Sequence, residues 1–338
     1  MGNHQLDIPL IQLFNQLYGR FNSLSLNYPG GLQEHDVVRF QTDRLPEGTD
    51  PFFIDPGRIF EIQSIGNHRS GNSSIEHVVI NSRARDNLAR RTGIAATVIP
   101  NALDFENPPR IDKERIGAFR HSIGLEPDDI MFLQPTRIVE RKGIEASIQL
   151  VKELNQRNIK LVVSHAAGDE GFEYALKLEA LARESGVQIR FIHDMVADPY
   201  APRQVSNDRF SLWEVYQAAD FVTFPSLYEG FGNALLEAIY FKKPLLVNRY
   251  EIFKDDIESK GFDVVKMDGR LTGATVAEVK HTINDRDHRA KMVTDNYRIA
   301  REHYSYSLLH NKFACLISNL FPQDCSSPQE CQQAAAGK

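Results

Sequence analysis

The feature that most constrains the fold is an alternation of short apolar runs with helical segments between residues 129 and 266. The apolar runs lie at 130–133, 160–163, 187–192, 221–224, 244–247 and 263–266. Segments with helical periodicity separate most of these runs, and this order predicts a parallel sheet covered by helices on both faces. The apolar character of the runs agrees, because parallel strands are buried on both sides.

The first part of the chain has a weaker pattern. Its predicted elements are a helix at 7–21, a strand at 77–80, a helix at 82–91 and a short strand at 97–99, with a loop-rich stretch after the first helix. We therefore expect an α/β domain that is reduced in size.

The length of 338 residues corresponds to about two domains. The predicted divisions are a partial N-terminal domain at 1–104, a complete C-terminal domain at 105–304, a closing helix at 305–321 and a polar tail at 322–338. The closing helix is predicted from an apolar stripe at helical spacing, and the Gln- and Ala-rich tail is typical of disorder.

Composition excludes several classes of protein. The net charge of −6 gives no basic surface of the kind that binds nucleic acid. Three cysteines, two of them in the polar tail, do not form a disulfide framework. The first residues do not resemble a signal peptide, and no run of about 18 apolar residues predicts a transmembrane helix. We therefore expect a cytoplasmic protein, and peripheral contact with a membrane stays open.

A glycine-rich motif at 228–237, with the sequence YEGFGNALLE, follows the apolar run at 221–224. Gly230 and Gly232 allow a ligand to approach the backbone closely, and a helix is predicted to begin near Gly232. The first backbone amides of such a helix, those of residues 233–235, form a binding site for phosphate. Glu229 in the loop and Glu237 one turn into the helix can accept hydrogen bonds from hydroxyl groups on either side of a bound diphosphate. A tight turn without function, with Glu237 exposed to solvent, is the simpler alternative.

A cationic motif at 135–143 follows the apolar run at 130–133. Arg137 and Lys142 lie on either side of one predicted turn and can reach a single anion, Arg137 as a bidentate donor and Lys142 as a mobile charge. Open parallel sheets bind ligands at the carboxyl ends of their strands. A solvated charged loop is the alternative for this motif taken by itself.

Together the two motifs resemble those of the retaining glycosyltransferases of family 4, which have the two-domain GT-B fold. The marks of the resemblance are the two glutamates of EGFGNALLE and the RIVERKG sequence at 137–143. The resemblance implies two Rossmann-like domains with parallel sheets, in which the second domain binds a UDP-, GDP- or ADP-sugar and the closing helix returns to the first domain. It also implies catalysis without a metal ion or other cofactor.

The resemblance further implies roles for individual residues. Arg137 and Lys142 would hold the diphosphate of the donor, Glu229 would face the donor sugar, and Glu237 would bind the ribose. The remaining donor-binding residues would be Gly230, Phe231, Gly232, Asn233, Ala234 and Leu235. From its place after the apolar run at 187–192, Met195 is a candidate for the nucleotide-base pocket, together with His193, Asp194 and Val196. A satisfied polar pair at the end of a strand is an equal alternative for His193 and Asp194.

Other candidate sites are weaker. Asp285 and Asp287 match the Asp-x-Asp pattern of metal-dependent transferases, but their place between two helices favours a helix cap. The lone histidines, His35 and His165, are interpreted as structural. No glycine-rich dinucleotide fingerprint follows the run at 130–133, which counts against a nicotinamide-dependent oxidoreductase.

The expected function is transfer of a hexosyl group from a nucleotide-diphospho-sugar to a hydroxyl acceptor, with retention of anomeric configuration. The acceptor can be a small molecule or a glycan. The alternative is a protein that binds nucleotide sugars without turnover, because the first domain is incomplete.

Overall fold

The computed structural model describes residues 37–42, 60–65, 75–110, 112–167, 172–197 and 209–320. The chain divides into two compact units: residues 1–101 with 307–338, and residues 102–306. The helix predicted at 7–21 and the tail predicted at 322–338 lie outside the described residues, as does His35.

The first unit contains a four-stranded sheet of strands β1 (Val37–Thr42), β2 (Phe60–Ile65), β3 (Ile75–Val79) and β4 (Thr97–Val98). Strand β2 pairs antiparallel with β1 and β3, and β3 pairs parallel with β4. The sheet is therefore mixed, which corrects the expectation of a parallel sheet in this unit. A parallel pairing needs a crossover of a dozen or more residues, and residues 66–74 between β2 and β3 are fewer.

Helix α1 (Ser82–Thr92) connects β3 to β4 and makes this part of the unit a β-α-β element. The Asn81 side chain accepts a hydrogen bond from the Ala84 N–H and so caps the start of the helix. Gly93 ends the helix with a φ of 73°. The elements predicted at 77–80, 82–91 and 97–99 are confirmed with shifts of one or two residues at their ends.

The second unit is organised around a six-stranded sheet that is parallel throughout. Its strands are β5 (Ile130–Gln134), β6 (Ile159–Val163), β7 (Gln188–Phe191), β8 (Phe221–Phe224), β9 (Leu245–Asn248) and β10 (Val265–Met267). The order β10-β9-β8-β5-β6-β7 reverses between β5 and β8. At such a switch point the connections leave in opposite directions, which opens a crevice at the carboxyl edge of the sheet.

The helices that follow in the chain are α2 (Lys113–Ser122), α3 (Ile144–Leu154), α4 (Phe172–Glu184), α5 (Leu212–Ala218), α6 (Asn233–Tyr240), α7 (Gly273–Asn284), α8 (Arg286–Tyr304) and α9 (Tyr306–Leu320). Each predicted apolar run corresponds to a strand, with small differences at the ends. No helix among the described residues is long and apolar enough to cross a membrane.

The core of the second unit is the sheet itself. All residues of β6, β8 and β9 are buried. Phe132 and Phe221 stack across the β5–β8 pair with their ring centroids 4.8 Å apart. This stack packs the two strands together at the switch point, where the functional loops begin.

The Asp285-x-Asp287 pattern serves as a helix cap. Asp285 is the N-cap of α8, and its carboxylate accepts a hydrogen bond of 2.9 Å from the His288 N–H. This hydrogen bond lowers the pKa of Asp285, because it stabilises the charged carboxylate.

The buried side chain of Asn296 binds helix α8 to the backbone just before β10. Its amide group donates to the Asp263 carbonyl at 2.7 Å and accepts from the Asp263 N–H at 2.8 Å, just before β10. Replacing Asn296 leaves both backbone groups without these partners in a buried place.

We expect Asn296→Ala to lower the free energy of unfolding by about 2–3 kcal/mol. The partly exposed Asn158 is a matched control, since its side-chain amide donates a hydrogen bond to the Asp128 carbonyl. Asn158→Ala should cost less than about 1 kcal/mol. Urea unfolding of both variants gives the comparison, and equal losses would contradict the assigned role of Asn296.

Candidate donor-binding site

Two loops that follow the neighbouring strands β5 and β8 lie against each other. We call residues 135–143 the cationic loop and residues 225–232 the glycine loop. Gly143 has a φ of 64°, and a Cβ atom at this position would lie 2.6 Å from the Pro225 carbonyl oxygen. The Leu227 N–H donates a hydrogen bond of 2.8 Å to the Arg141 carbonyl. The close approach therefore depends on glycine at position 143, and it brings the two predicted motifs into direct contact.

Lys142 and Glu229 form the central ion pair between these loops. Lys142 is 5% exposed, and the Glu229 side chain is 10% exposed. The backbone of Lys142 is held by the buried Gln134, whose side-chain amide donates to the Lys142 carbonyl at 2.9 Å. Burial lowers the pKa of Lys142, because a charged amine loses solvation, while Glu229 opposes this shift.

Two arginines add positive charge to the cationic loop. The Arg141 guanidinium lies 3.9 Å from the Glu229 carboxylate and 5.3 Å from the centre of the Tyr228 ring. Arg137 is exposed to solvent, and its charge lowers the pKa values of both Lys142 and His165. Arg141 was not among the predicted site residues, and the structure places it against Glu229. The shared role of Arg137 and Lys142 in holding one anion stays a prediction.

His165 lies at the end of the neighbouring strand β6, beside these cations. Its Nδ1 atom is 2.8 Å from the Ser164 hydroxyl. The Ile138 N–H donates to the Ala166 carbonyl at 3.3 Å, which ties the cationic loop to this segment. Burial lowers the pKa of His165 to about 4, with further contributions from Lys142 and Arg137. The imidazole is therefore neutral at pH 7, and the positive charge here is that of the lysine and arginines of the cationic loop.

Tyr250 packs against the glycine loop and holds its backbone. The buried Tyr250 hydroxyl donates a hydrogen bond of 2.7 Å to the Phe231 carbonyl. Gly232 has a φ of 108°, and a Cβ atom there would overlap the Tyr250 hydroxyl. Gly232 thus meets two requirements at once, a left-handed backbone and room for the tyrosine.

Helix α6 begins immediately after Gly232, as predicted, and its amino end lies next to the glycine loop. One detail of the prediction is corrected. The Leu235 N–H, expected to face a ligand, donates to the Gly232 carbonyl at 3.0 Å, because the first turn of the helix is tightened. Asn233 and Ala234 occupy the first two positions of α6, where backbone amides point along the axis toward a ligand.

Glu237 lies one turn inside α6. Its carboxylate accepts a hydrogen bond of 2.7 Å from the hydroxyl of Tyr216, which lies on α5. Removal from water raises the pKa of Glu237, and the Tyr216 hydrogen bond reduces that effect. The described residues provide no cation within ion-pair distance of this carboxylate.

Met195 lies in a short 3-10 turn, His193–Met195, after β7. Its carbonyl accepts the Phe210 N–H at 2.8 Å. Among the described residues, no hydrogen bond or ion pair joins Met195 to the Lys142–Glu229 pair, so its assignment to the base pocket stays a prediction. Val196 pairs with Phe210, and His193 with its neighbour Asp194. The described part of the chain also has no group of three His, Cys, Asp or Glu side chains placed to hold a metal ion.

We expect Gly232→Ala to lower the free energy of unfolding by about 2–4 kcal/mol, because it combines backbone strain with a clash. Gly261 is the matched control: its φ is 85°, and a Cβ atom there would meet no atom within 4 Å. Gly261→Ala should cost about 1 kcal/mol, which is the strain alone. Chemical denaturation measures both, and a loss at Gly232 no larger than that at Gly261 would contradict the packing described.

Solved structures with a similar fold include proteins that are named as glycosyltransferases. The Anabaena protein HepE, solved in complex with UDP and glucose, superimposes with a TM-score of 0.56 and 15% identity over 71% of this chain and 62% of that one. Sucrose-phosphate synthase from Thermosynechococcus elongatus superimposes with a TM-score of 0.55 and 17% identity, over 72% of this chain and 58% of its own. These likenesses show the fold, which is GT-B.

Curated relatives share more of the sequence. Mannosylglucosylglycerate synthase of Thermotoga maritima is 32% identical over 70% of this chain and 60% of its own length. The enzyme of the same name from Petrotoga mobilis is 35% identical over 57% of this chain and 48% of its own length. The match thus spans about half to three fifths of these relatives.

The family match covers the part of the chain that carries the site. The model of the glycosyl transferases group 1 matches residues 116–298, which include both functional loops and helix α6. This match extends over more than half of the chain. The protein therefore belongs to the family of glycosyl transferases group 1.

Proposed function

We propose that this protein transfers a hexosyl group from a nucleotide-diphospho-sugar to a hydroxyl acceptor, with retention of anomeric configuration and without a metal ion. The observation that carries the proposal is the buried Lys142–Glu229 pair beside the amino end of α6. A buried amine next to a helix terminus is suited to a multiply charged ligand such as a diphosphate.

The chemical difficulty of the reaction lies in the leaving group. As the bond from the anomeric carbon to the β-phosphate oxygen breaks, negative charge increases on the nucleoside diphosphate. Lys142, Arg137 and the first amides of α6 would stabilise this charge in a site that holds little water. Arg141 adds a third cation within reach of the same loop.

The two glutamates would bind the two ends of the donor. Glu229 lies within the glycine loop, just before Gly230, where its carboxylate can accept hydrogen bonds from the transferred sugar. Glu237 lacks a cationic partner among the described residues and has a raised pKa, so hydroxyl donors from a ribose would suit it. In the free protein the Lys142 amine is paired with the Glu229 carboxylate. A bound diphosphate would attract the amine toward its own negative charge.

The names of the relatives suggest a first pair of substrates. Both relatives are named for a product that contains mannose, glucose and glycerate. We therefore propose a mannosyl donor and an acceptor that contains a glucosylglycerate unit. A protein that binds the donor without turnover is the alternative.

The donor is identified by a thermal-shift panel of GDP-mannose, GDP-glucose, UDP-glucose and ADP-glucose. A ligand at about 100 times its dissociation constant adds roughly 2.7 kcal/mol of stability, which raises the melting temperature measurably. We expect GDP-mannose to give the largest shift. A larger shift with another donor would contradict the mannosyl assignment, and no shift with any of them would contradict the donor site.

The site is tested by turnover of Lys142→Met, which removes the charge and keeps most of the side-chain length. We expect transfer to fall by about 100- to 1000-fold, the usual effect of losing one donor to the developing charge. Lys243 is a matched control, because burial lowers its pKa to about 8 and it donates to the Gln217 carbonyl at 2.8 Å. Lys243 lies just before β9, at the amino ends of the parallel strands, whereas the two loops follow the carboxyl ends. Lys243→Met should retain most of the activity.

The transfer assay also tests the stereochemistry and the metal. We expect NMR of the product to give the same anomeric configuration as the donor, and EDTA to leave the rate unchanged. An inverted product or a rate restored only by divalent cations would contradict those parts of the proposal. Donor binding without transfer to any glucosylglycerate acceptor would favour the binding-only alternative.

A further inference from the structure

Tyr216 is a buried residue that contacts the candidate site but is not one of its ligand-binding residues. It lies on α5 with none of its surface exposed, and its ring stacks on that of Phe241 with centroids 5.3 Å apart. Its hydroxyl points to α6, where it donates to the Glu237 Oε2 atom at 2.7 Å and lies 3.4 Å from the Ala234 carbonyl oxygen. Packing therefore fixes the position of the ring, and the hydroxyl contacts the Glu237 Oε2 atom.

Glu237 depends on this hydroxyl for its orientation. Among the described residues, Tyr216 is the donor that binds this carboxylate, and its hydroxyl donates to Oε2. A glutamate side chain has several rotatable bonds, so a single fixed partner selects one of its conformers. With Oε2 held by a tyrosine, Oε1 and the remaining lone pairs are available to other donors.

The protonation states fit this arrangement. Burial raises the pKa of Tyr216 well above its usual value, so its hydroxyl keeps its proton and stays a donor. A hydrogen bond from a neutral donor stabilises the charged form of Glu237, which burial disfavours. The Tyr216 hydrogen bond therefore offsets part of the cost that burial imposes on the charged form of Glu237.

We propose that Tyr216 is a positioning residue, which holds the Glu237 carboxylate in the orientation that accepts hydrogen bonds from the ribose hydroxyls of the donor. This inference rests on the proposed function, in which Glu237 binds the ribose. Tyr216 touches no substrate itself, and its effect passes through Glu237. It therefore adds to the recognition of the ribose and leaves the diphosphate contacts unchanged.

The test compares two probes that differ only at the ribose. Calorimetry measures the binding of GDP, or of UDP or ADP if the wild-type protein prefers one of these, and of the matching 2′,3′-dideoxy nucleoside diphosphate. We expect Tyr216→Phe to weaken binding of the ribose form about tenfold, as for loss of a hydrogen bond to a charged group. Binding of the dideoxy form should be nearly unchanged. In turnover, the donor KM should rise while kcat stays close to that of the wild type.

Two further variants separate this effect from a general loss of packing. Tyr240→Phe is the matched control, because it removes a buried tyrosine hydroxyl that donates to the Asp104 carbonyl at 3.0 Å. It should leave the preference for the ribose form intact. In a Glu237→Gln background, Tyr216→Phe should have little additional effect, because the two residues act through one contact.

The outcomes separate this inference from the proposed function. If Glu237→Gln loses the preference for ribose and Tyr216→Phe keeps it, the role of Tyr216 is overturned and the donor site stands. If the wild-type protein binds no nucleoside diphosphate, or binds both forms equally, the ribose site and the role of Tyr216 fail together. Binding is measured below the melting temperature of each variant, so a moderate loss of stability does not affect the result.

Discussion

The candidate site depends on the pairing of β5 with β8 at the point where the strand order reverses. These strands are far apart in the chain, and their pairing places the loops after them side by side. Gly143 then allows the backbones to touch, and Lys142 meets Glu229 across the contact. A side chain at position 143 would push the two loops apart and would therefore also separate Lys142 from Glu229. One packing contact thus underlies the charge arrangement of the whole site.

The burial of this ion pair has an energetic meaning. Charged groups taken out of water are costly unless they have partners, so Lys142 and Glu229 each need the other in the free protein. A bound diphosphate would provide a stronger partner for the amine, and a sugar would provide hydroxyl donors for the carboxylate. The proposed donor would therefore exchange the partners of two protein charges that are already buried, so no further side-chain charge would have to leave water.

Much of this could be predicted from local sequence patterns. The apolar runs indicated all six parallel strands, and the glycines at 230 and 232 indicated the turn before α6. The role of Asp285 as a cap also followed from its place between two helices. The positions of Lys142 and Glu229 at adjoining strand ends followed from the general architecture of parallel sheets.

Other features depended on contacts between distant segments, which local patterns do not reveal. Arg141 and Lys142 are adjacent in the chain, and only the folded turn places both against Glu229. Tyr216 and Tyr250 were missed because a tyrosine on an apolar face is typical of a core, and their hydroxyl partners lie about twenty residues away. The tightened first turn of α6 is a hydrogen bond between residues three apart, which the helical pattern by itself does not distinguish from an ordinary first turn.

The neutral state of His165 has a consequence for the conditions under which the site works. A histidine with an ordinary pKa would gain and lose its charge between pH 5 and 8, and a phosphate ligand beside it would sense every such change. Here burial, with the charges of Lys142 and Arg137, lowers the pKa of the imidazole to about 4, so its charge changes little between pH 5 and 8. Modest acidification of the surroundings therefore does not change the electric field around the Lys142–Glu229 pair through His165.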